Sequence, residues 1–347
     1  MKKKLFILVI LVVMLTTGCG AKNFIKDKDK KLVTYEKTGQ SLPTNILCQP
    51  NDEELYKLYE EYNDQLKISL KDLPKCENFK ITSNGGSGIW EFLFVKPLAF
   101  LIITLGKLVK NMGVSLIIVG ILIRLILLPF SYKTHKQSKN MAKVQKEMQK
   151  LEYKYRGRDD REAMMMKTQE MREIYKKFNV NPLGGCLIAF LQLPIFFAFL
   201  QAVNRTPAIF EDKLFGFNLG MTPYVGLSNG NYLYIILIIL ISVSTYFSFK
   251  YSMRTTKEMT EGTGMGNMSS MTTIMTVLIT ITSFSLSTAL SFYWIITYAF
   301  IAIQTYAFKK LSGEPNKKDK EDKKDNKKGK IKEKLEVKEK LKYGKNN

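Results

Sequence analysis

The feature that most constrains this chain is a run of more than forty residues, 262–308, without one charged side chain. Soluble core helices do not reach that length, whereas about twenty apolar residues carry an α-helix across the roughly 30 Å hydrocarbon layer of a bilayer. The run predicts two spans, with a break at Ser285, Leu286, Ser287 and Thr288. Three further tracts are long enough: 112–132, interrupted only by Arg124, and the uncharged tracts 182–204 and 231–249. Inside hydrocarbon the backbone must satisfy its own hydrogen bonds, which leaves helices for tracts of this kind. The expected fold class is an all-α membrane protein with five transmembrane helices, at 112–132, 182–204, 231–249, 269–285 and 288–308.

The first nineteen residues read as an export signal: Lys2, Lys3 and Lys4 precede an apolar core from Leu5 to Leu15, and small residues follow up to Cys19. Leu15-Thr16-Thr17-Gly18-Cys19 resembles a bacterial lipobox, in which Cys19 is lipidated after removal of residues 1–18. Thr16 stands where such boxes usually carry Leu, so an ordinary signal peptide with an incidental cysteine is the alternative. Cys48 and Cys76 fall in the polar segment 19–88, outside the cytoplasm, where a disulfide between them is allowed by compartment. Cys186 lies beside Gly184 and Gly185 and reads as a small packing residue. His135 is the only histidine, and no metal-ligand spacing occurs, so neither a metal nor another cofactor is expected.

Charge decides the topology. The chain carries a formal net charge of +22, concentrated in a few stretches between the apolar tracts. Residues 133–177 alone hold fourteen Lys and Arg, and such stretches stay cytoplasmic. One more apolar segment, 89–111, is ambiguous. On a helical wheel its Lys96, Thr104, Lys107 and Lys110 share one face, as in an amphipathic helix lying at the membrane surface with its lysines towards water. If it crossed the bilayer and the lipid-anchored N-terminus were outside, the basic stretch would be outside too. The expected order is therefore a polar extracellular segment, an interfacial helix at 89–111, a first span and a cytoplasmic insert at 133–180. The second span, an extracellular loop at 205–230 and the third span follow. A cytoplasmic loop at 250–268, two closing spans and a basic cytoplasmic tail at 309–347 complete it.

Within the insert, Met141, Val144, Met148, Leu151 and Tyr155 recur at steps of three and four. After the polar break at residues 156–160, Met164, Met171, Ile174 and Phe178 continue the pattern less regularly. This predicts two amphipathic helices closed into an antiparallel hairpin. Its methionines either fill the seam or offer an adaptable surface to varied partners.

Two motifs flank that hairpin. Gly113-Val-Ser-Leu-Ile-Ile-Val-Gly-Ile-Leu-Ile-Arg124-Leu-Ile-Leu-Leu-Pro129 resembles the first conserved span of the YidC/Oxa/Alb family. Asn181-Pro-Leu-Gly-Gly-Cys186-Leu-Ile-Ala-Phe-Leu-Gln192-Leu-Pro194-Ile-Phe-Phe-Ala-Phe is similar to the second. With Tyr293, Trp294 and Gln304 in the last span, the likeness runs from about residue 89 to 308. The lipobox and the five spans resemble the Gram-positive lipoprotein type. The resemblance implies a membrane protein insertase, not an enzyme, that inserts and helps fold newly made proteins through a hydrated groove centred on Arg124. It departs in two places: Leu286, Ser287, Thr288 and Ala289 replace a usual Phe-Pro-x-Gly, and Ser248 replaces a usual Gln.

Arg124 is the one charged residue within the five spans. An arginine near a helix centre in the bilayer costs about 2.5–3.5 kcal/mol even on the low scales. It either snorkels to the inner headgroups or sits in a polar pocket. Candidate companions are Gln192 and Gln201 in the second span, Ser242, Thr245 and Ser248 in the third, and Ser291, Trp294, Thr297 and Gln304 in the last. Thr273, Thr276, Thr280, Ser283 and Ser287 form one stripe of the fourth span. Helix packing is the commoner use of such stripes. The groove set is Arg124, Gln192, Gln201, Thr245, Ser248, Trp294 and Gln304.

The tail holds sixteen Lys against eight acidic residues and few apolar ones, too little to form a core. Anionic membrane lipids and ribosomal RNA are both open as its partner; the resemblance adds nascent membrane proteins and the Sec translocon. A transporter or channel calls for intramembrane carboxylates or repeats, which the sequence lacks. A lipoprotein scaffold of the Sec machinery has no need of a buried arginine. Enzyme chemistry lacks a base, and the P-loop pattern GxxxxGK[ST] does not occur.

Overall fold

The computed structural model describes residues 24–84, 88–158, 160–179, 184–260 and 268–311. The lipobox with Cys19 and the tail beyond residue 311 lie outside them. The chain divides into two compact units, residues 1–303 and 304–347. Of the second, the described part is the end of one helix.

Residues 24–84 form a small folded domain rather than a merely polar segment. A two-stranded ribbon, β1 (Thr34–Tyr35) and β2 (Gln40–Ser41), is closed by a turn with Gly39 at φ +67°. Helix α1 (Glu53–Glu61) follows, capped by Asp52, whose side chain accepts from the Leu55 amide. Ile25, Leu42, Leu55, Tyr59 and Leu70 make a dry core with Phe210 from the 205–230 loop. Those apolar residues are scattered among many charges, which is why composition hid the domain. Cys48 and Cys76 are joined by a disulfide, with Cα atoms 4.8 Å apart.

A π-helical turn, Glu91–Val95, leads into α2 (Lys96–Val109). Its inward face, Ala99, Ile102, Ile103 and Gly106, is buried, while Leu108 and Lys107 are exposed. Lys96 departs from the water-facing stripe expected of it: it is buried, and its Nζ donates to the Ser83 carbonyl at 2.8 Å. Lys110, left-handed at φ +57°, ends the helix, and Asn111 caps the next by accepting from the Val114 amide. At Gly106 the Met112 side chain occupies the place a Cβ would take and packs across this tight return.

Helix α3 (Met112–Ile126) is shorter than the expected 112–132 span. Proline at 129 cannot donate to the carbonyl four residues back. The helix hitches at Leu127, and α4 (Leu128–Lys154) begins at once. The first arm of the hairpin thus grows directly out of the span. Helix α5 (Arg161–Lys177), capped by Asp160, is the second arm. Val144 and Leu151 are buried in the seam against Met148, Met171, Ile174 and Phe178. Tyr155 and Lys154 both donate to Glu170 Oε1, at 2.8 and 2.6 Å. Met164, expected in the seam, is 63% exposed instead; Ala163 takes the buried place.

Helix α6 (Gly184–Asn204) carries Pro194 inside it. The short α7 (Pro207–Phe210), the hairpin β3 (Lys213–Leu214) and β4 (Phe217–Asn218), and α8 (Pro223–Ser228) fill the following loop. Helix α9 (Leu233–Thr260) packs along α10 (Met268–Ser283), and α11 (Thr288–Leu311) closes the fold.

Three described helical stretches combine span length with apolar composition: Glu91–Val109, Leu233–Lys250 and Thr288–Leu311. Met112–Ile126 and Gln192–Asn204 are apolar but shorter. The bundle is helical throughout, and its helices expose Leu122, Leu125, Ile236, Ile239, Leu240, Val277, Leu278 and Ile281. A surface that apolar fits lipid rather than water.

Candidate functional site

Two ends can be distinguished in the bundle: a loop end, at residues 205–230, and a hairpin end, at α4 and α5. Near the loop end the core is dry. Leu116 and Val119 of α3, Phe199 and Val203 of α6, Tyr234, Leu237 and Ile241 of α9, and Leu290 and Tyr293 of α11 pack together. Phe199 stacks on Tyr293 with ring centroids 3.8 Å apart, and Phe196 on Trp294 at 5.6 Å.

One to two turns further towards the hairpin end, every one of these helices turns polar. Arg124 follows Val119 on α3, Gln192 precedes Phe196 on α6, Thr245 and Ser248 follow Ile241 on α9, and Thr297 follows Tyr293 on α11. Arg124, Thr245, Ser248 and Thr297 are all buried. Arg124 Nη2 donates to Gln192 Oε1 at 2.8 Å. Tyr293 and Tyr298 stand within electrostatic range of the guanidinium, and Tyr293 is also close to Gln192 and Thr297. The Tyr298 ring in turn touches Phe249, next to Ser248.

This layer is incompletely satisfied. Arg124 Nε, Tyr293 Oη, Thr245 Oγ1 and Thr297 Oγ1 are buried without a hydrogen-bond partner. Buried polar atoms are normally paired with protein or water, so an unpaired guanidinium nitrogen and three unpaired hydroxyls in one layer of the bundle mark a place built for water or for a polar guest. A dry, fully charged pocket would be costly. The arrangement can hold a carboxylate or a hydrated polar segment; among the described residues no cluster suits a metal ion.

Of the expected set, Arg124 and Gln192 meet directly, Trp294 walls the layer through Phe196, and Thr245 and Ser248 lie at its level on α9. Gln201 does not join them. Nine residues beyond Gln192, it sits roughly 13.5 Å along the helix and half a turn round. Gln304 belongs to the second unit, ten positions beyond Trp294 on α11. In the α10 stripe Thr280 faces α9, its Oγ1 2.9 Å from Ser242 Oγ, and Thr280 and Ser283 donate to carbonyls of their own helix. Tyr298 was missed by sequence reading. Its signal was available, because it sits one position beyond Thr297, but a tyrosine near a span end reads as an interface anchor.

Comparisons with known proteins bear on the family of the chain. The family model "60Kd inner membrane protein" matches residues 104–316, which leaves the 24–84 domain outside the match. The membrane protein insertase YidC of Oceanobacillus iheyensis is 34% identical over 235 residues, covering 67% of this chain and 88% of the relative. The membrane protein insertase MisCA of Bacillus subtilis is 36% identical over 236 residues, 66% of this chain and 84% of the relative. YidC 2 of Bacillus anthracis is 35% identical over 227 residues, 64% and 82% of the two chains. With a polar layer around Arg124 set in an apolar helical bundle and matches of this extent, the chain belongs to the 60Kd inner membrane protein family, the YidC/Oxa/Alb membrane protein insertases.

Proposed function

We propose that this insertase works by offering the layer around Arg124 as a hydrated groove, open to the cytoplasm and to lipid and closed towards the outside. The observation that carries this reading is the stacking of a dry layer on a polar one whose buried groups lack partners. Moving the polar flank of a client protein across hydrocarbon is costly because its backbone and charges go unsatisfied. A groove reaching part way shortens the apolar path. Arg124 attracts carboxylates of the leading segment, Gln192 holds the guanidinium in place, and the apolar part of the client slides past Phe196 and Trp294 into lipid. Burial of its side chains drives the step, aided by the membrane potential. The step makes and breaks no covalent bond.

The same reading sets the topology. The ends of the α2 segment are bonded to one short stretch of the loop: Glu91 to Arg205, and Asn111 and Met112 to Lys213 and Asp212. Ends tethered to residues 205 and 212–213 favour a helix lying along the outer surface, although its length would allow crossing. The N-terminal domain then faces out, lipid-anchored through Cys19, and the hairpin and tail face the cytoplasm. There the basic tail meets ribosomal RNA or anionic lipid, and the Sec translocon is a second partner at the membrane.

The test is reconstitution of the full chain alone in lipid vesicles, followed by addition of a small Sec-independent membrane protein. Protease protection above that of empty vesicles is expected. Protection no better than empty vesicles would sink the reading in favour of a scaffold role.

A further inference from the structure

A second buried arginine stands at the loop end, where α6 stops. Arg205 donates from Nε to the Asn45 carbonyl at 2.6 Å and from Nη1 to Glu91 Oε1 at 2.8 Å. Its own carbonyl accepts from the Leu47 amide at 2.8 Å. The Arg205 side chain is 4% exposed and that of Glu91 13%. One residue therefore joins three parts of the molecule: α6, the turn that opens α2, and the N-terminal domain. Arginine suits the task because its planar fork serves two acceptors at once, which a lysine ammonium does not do with the same geometry. Burying such a pair is expensive for stability alone, the more so as Arg205 Nη2 and Glu91 Oε2 are buried without a partner of their own.

Its position suggests what the expense secures. Pro194 interrupts the hydrogen-bond ladder of α6 two residues after Gln192. One ladder bond fewer ties the outer half of α6 to the inner half, and that outer half contributes Phe196, Phe199 and Val203 to the dry layer. That half is bounded by the proline at one end and by Arg205 at the other. We propose that Arg205 is a positioning residue: with Glu91 and the Asn45 carbonyl it latches the outer half of α6 and keeps the dry layer closed beneath the outer face. The inference rests on the groove reading above, since it names what stops that groove from running through the membrane.

The test reads accessibility from each side. A full chain with Cys186→Ala and Thr297→Cys is placed in vesicles with the N-terminal domain outside, and a membrane-impermeant maleimide is added to one side or the other. A chain without the introduced cysteine serves as the control. In the parent, labelling from outside is expected at background. Arg205→Met removes both the bond to the Asn45 carbonyl and the one to Glu91 and is expected to raise it at least about tenfold, the change that loss of even one charge-assisted hydrogen bond makes in an opening equilibrium. Arg205→Lys, which leaves no orphaned charge and should fold where Met does not, is expected to fall between them. Outside labelling at the parent rate in Arg205→Lys and in any folded Arg205→Met would overturn the latch, as would raised labelling that comes with loss of cooperative unfolding in both variants. Labelling of the parent from the cytoplasmic side tests the groove separately: its absence overturns the groove reading, while the latch stands or falls on the outside signal.

Discussion

Arg124 and Gln192 are 68 positions apart in sequence and joined by a 2.8 Å hydrogen bond from Nη2 to Oε1. That bond links the first and second conserved spans across the insertion of the whole helical hairpin. It also distinguishes a wet site from a dry one. In a dry pocket, Gln192→Leu strands a buried guanidinium donor and costs about 1–3 kcal/mol. In a hydrated one, water takes the place of the amide and the cost stays below about 1 kcal/mol. The smaller value is expected, read from the thermal midpoint of the purified variant in detergent. Arg124→Ala is expected to leave the fold intact and to reduce insertion of clients with acidic leading segments more than of uncharged ones. Equal loss for both kinds of client would remove Arg124 from client recognition.

The N-terminal domain docks on the 205–230 loop partly through Glu211, whose carboxylate accepts from the Asn51 and Asp52 amides at 2.8 and 3.1 Å. Burial pushes its carboxyl above the ordinary value of 4.5 despite those bonds. The folded state then binds the proton more tightly than the unfolded one. Stability from this group falls as pH rises from that ordinary value through the raised one, and is flat above it. Asp52 titrates the other way. Burial raises it, but the Leu55 amide, Tyr35 and Lys37 outweigh that and hold it below its ordinary value. Its contribution is lost only as pH falls through that lowered value. Glu211→Gln keeps the acceptor and loses the titration. The variant is expected to melt above the parent at pH 7, with the gap closing as pH is lowered towards 4.5.

The disulfide closes a loop with a sequence separation of 28. Chain-entropy reasoning gives about 3–4 kcal/mol for a loop of that size. The bridge is buried against Val95, Ala99 and Ile103 of the α2 segment and Ala202 of α6. Replacing both Cys48 and Cys76 by Ser is expected to destabilise the N-terminal domain by that amount. The loss should show first as faster amide exchange in residues 24–84, with the helical bundle protected as before.

What the sequence disclosed follows from which forces act over short range. Uncharged tracts report the bilayer directly, so α9, α11 and the turn between α10 and α11 could be read from it. The hairpin was legible because Val144, Leu151 and Ile174 repeat at helical spacing. Met164 was misread since a three-four step does not say which of two neighbours, Ala163 or Met164, meets the seam. Lys96 was placed on a water face by the same wheel, yet the Ser83 carbonyl, supplied by the N-terminal domain, draws it inward. That domain itself was illegible: its core takes one residue here and there from a charged segment and borrows Phe210 from far along the chain. Around Arg124, the wheel could find polar faces but not their azimuth or depth, so Gln201 was grouped with Gln192 although it stands nine residues further along α6, roughly 13.5 Å on an ideal helix.

Azimuth also decides what the α10 stripe does, and a substitution can separate packing from recognition. Ser242 Oγ lies 2.9 Å from Thr280 Oγ1, while Ser242 also donates to Ile238 and Thr280 to Thr276. Each hydroxyl has one proton, so the three contacts share two donors, and removing one hydroxyl leaves the other served by its own helix. Ser242→Ala is therefore expected to cost no more than about 0.6 kcal/mol, the average for such contacts between membrane helices. Ser242→Leu forces a larger side chain between α9 and α10 and is expected to cost about 1–3 kcal/mol. Both are read from thermal midpoints in detergent. In the insertion assay Ser242→Ala should match the parent for acidic and uncharged clients alike, because Ser242 and Thr280 face each other between α9 and α10. A selective loss for acidic clients in Ser242→Ala would show that the stripe belongs to the groove after all.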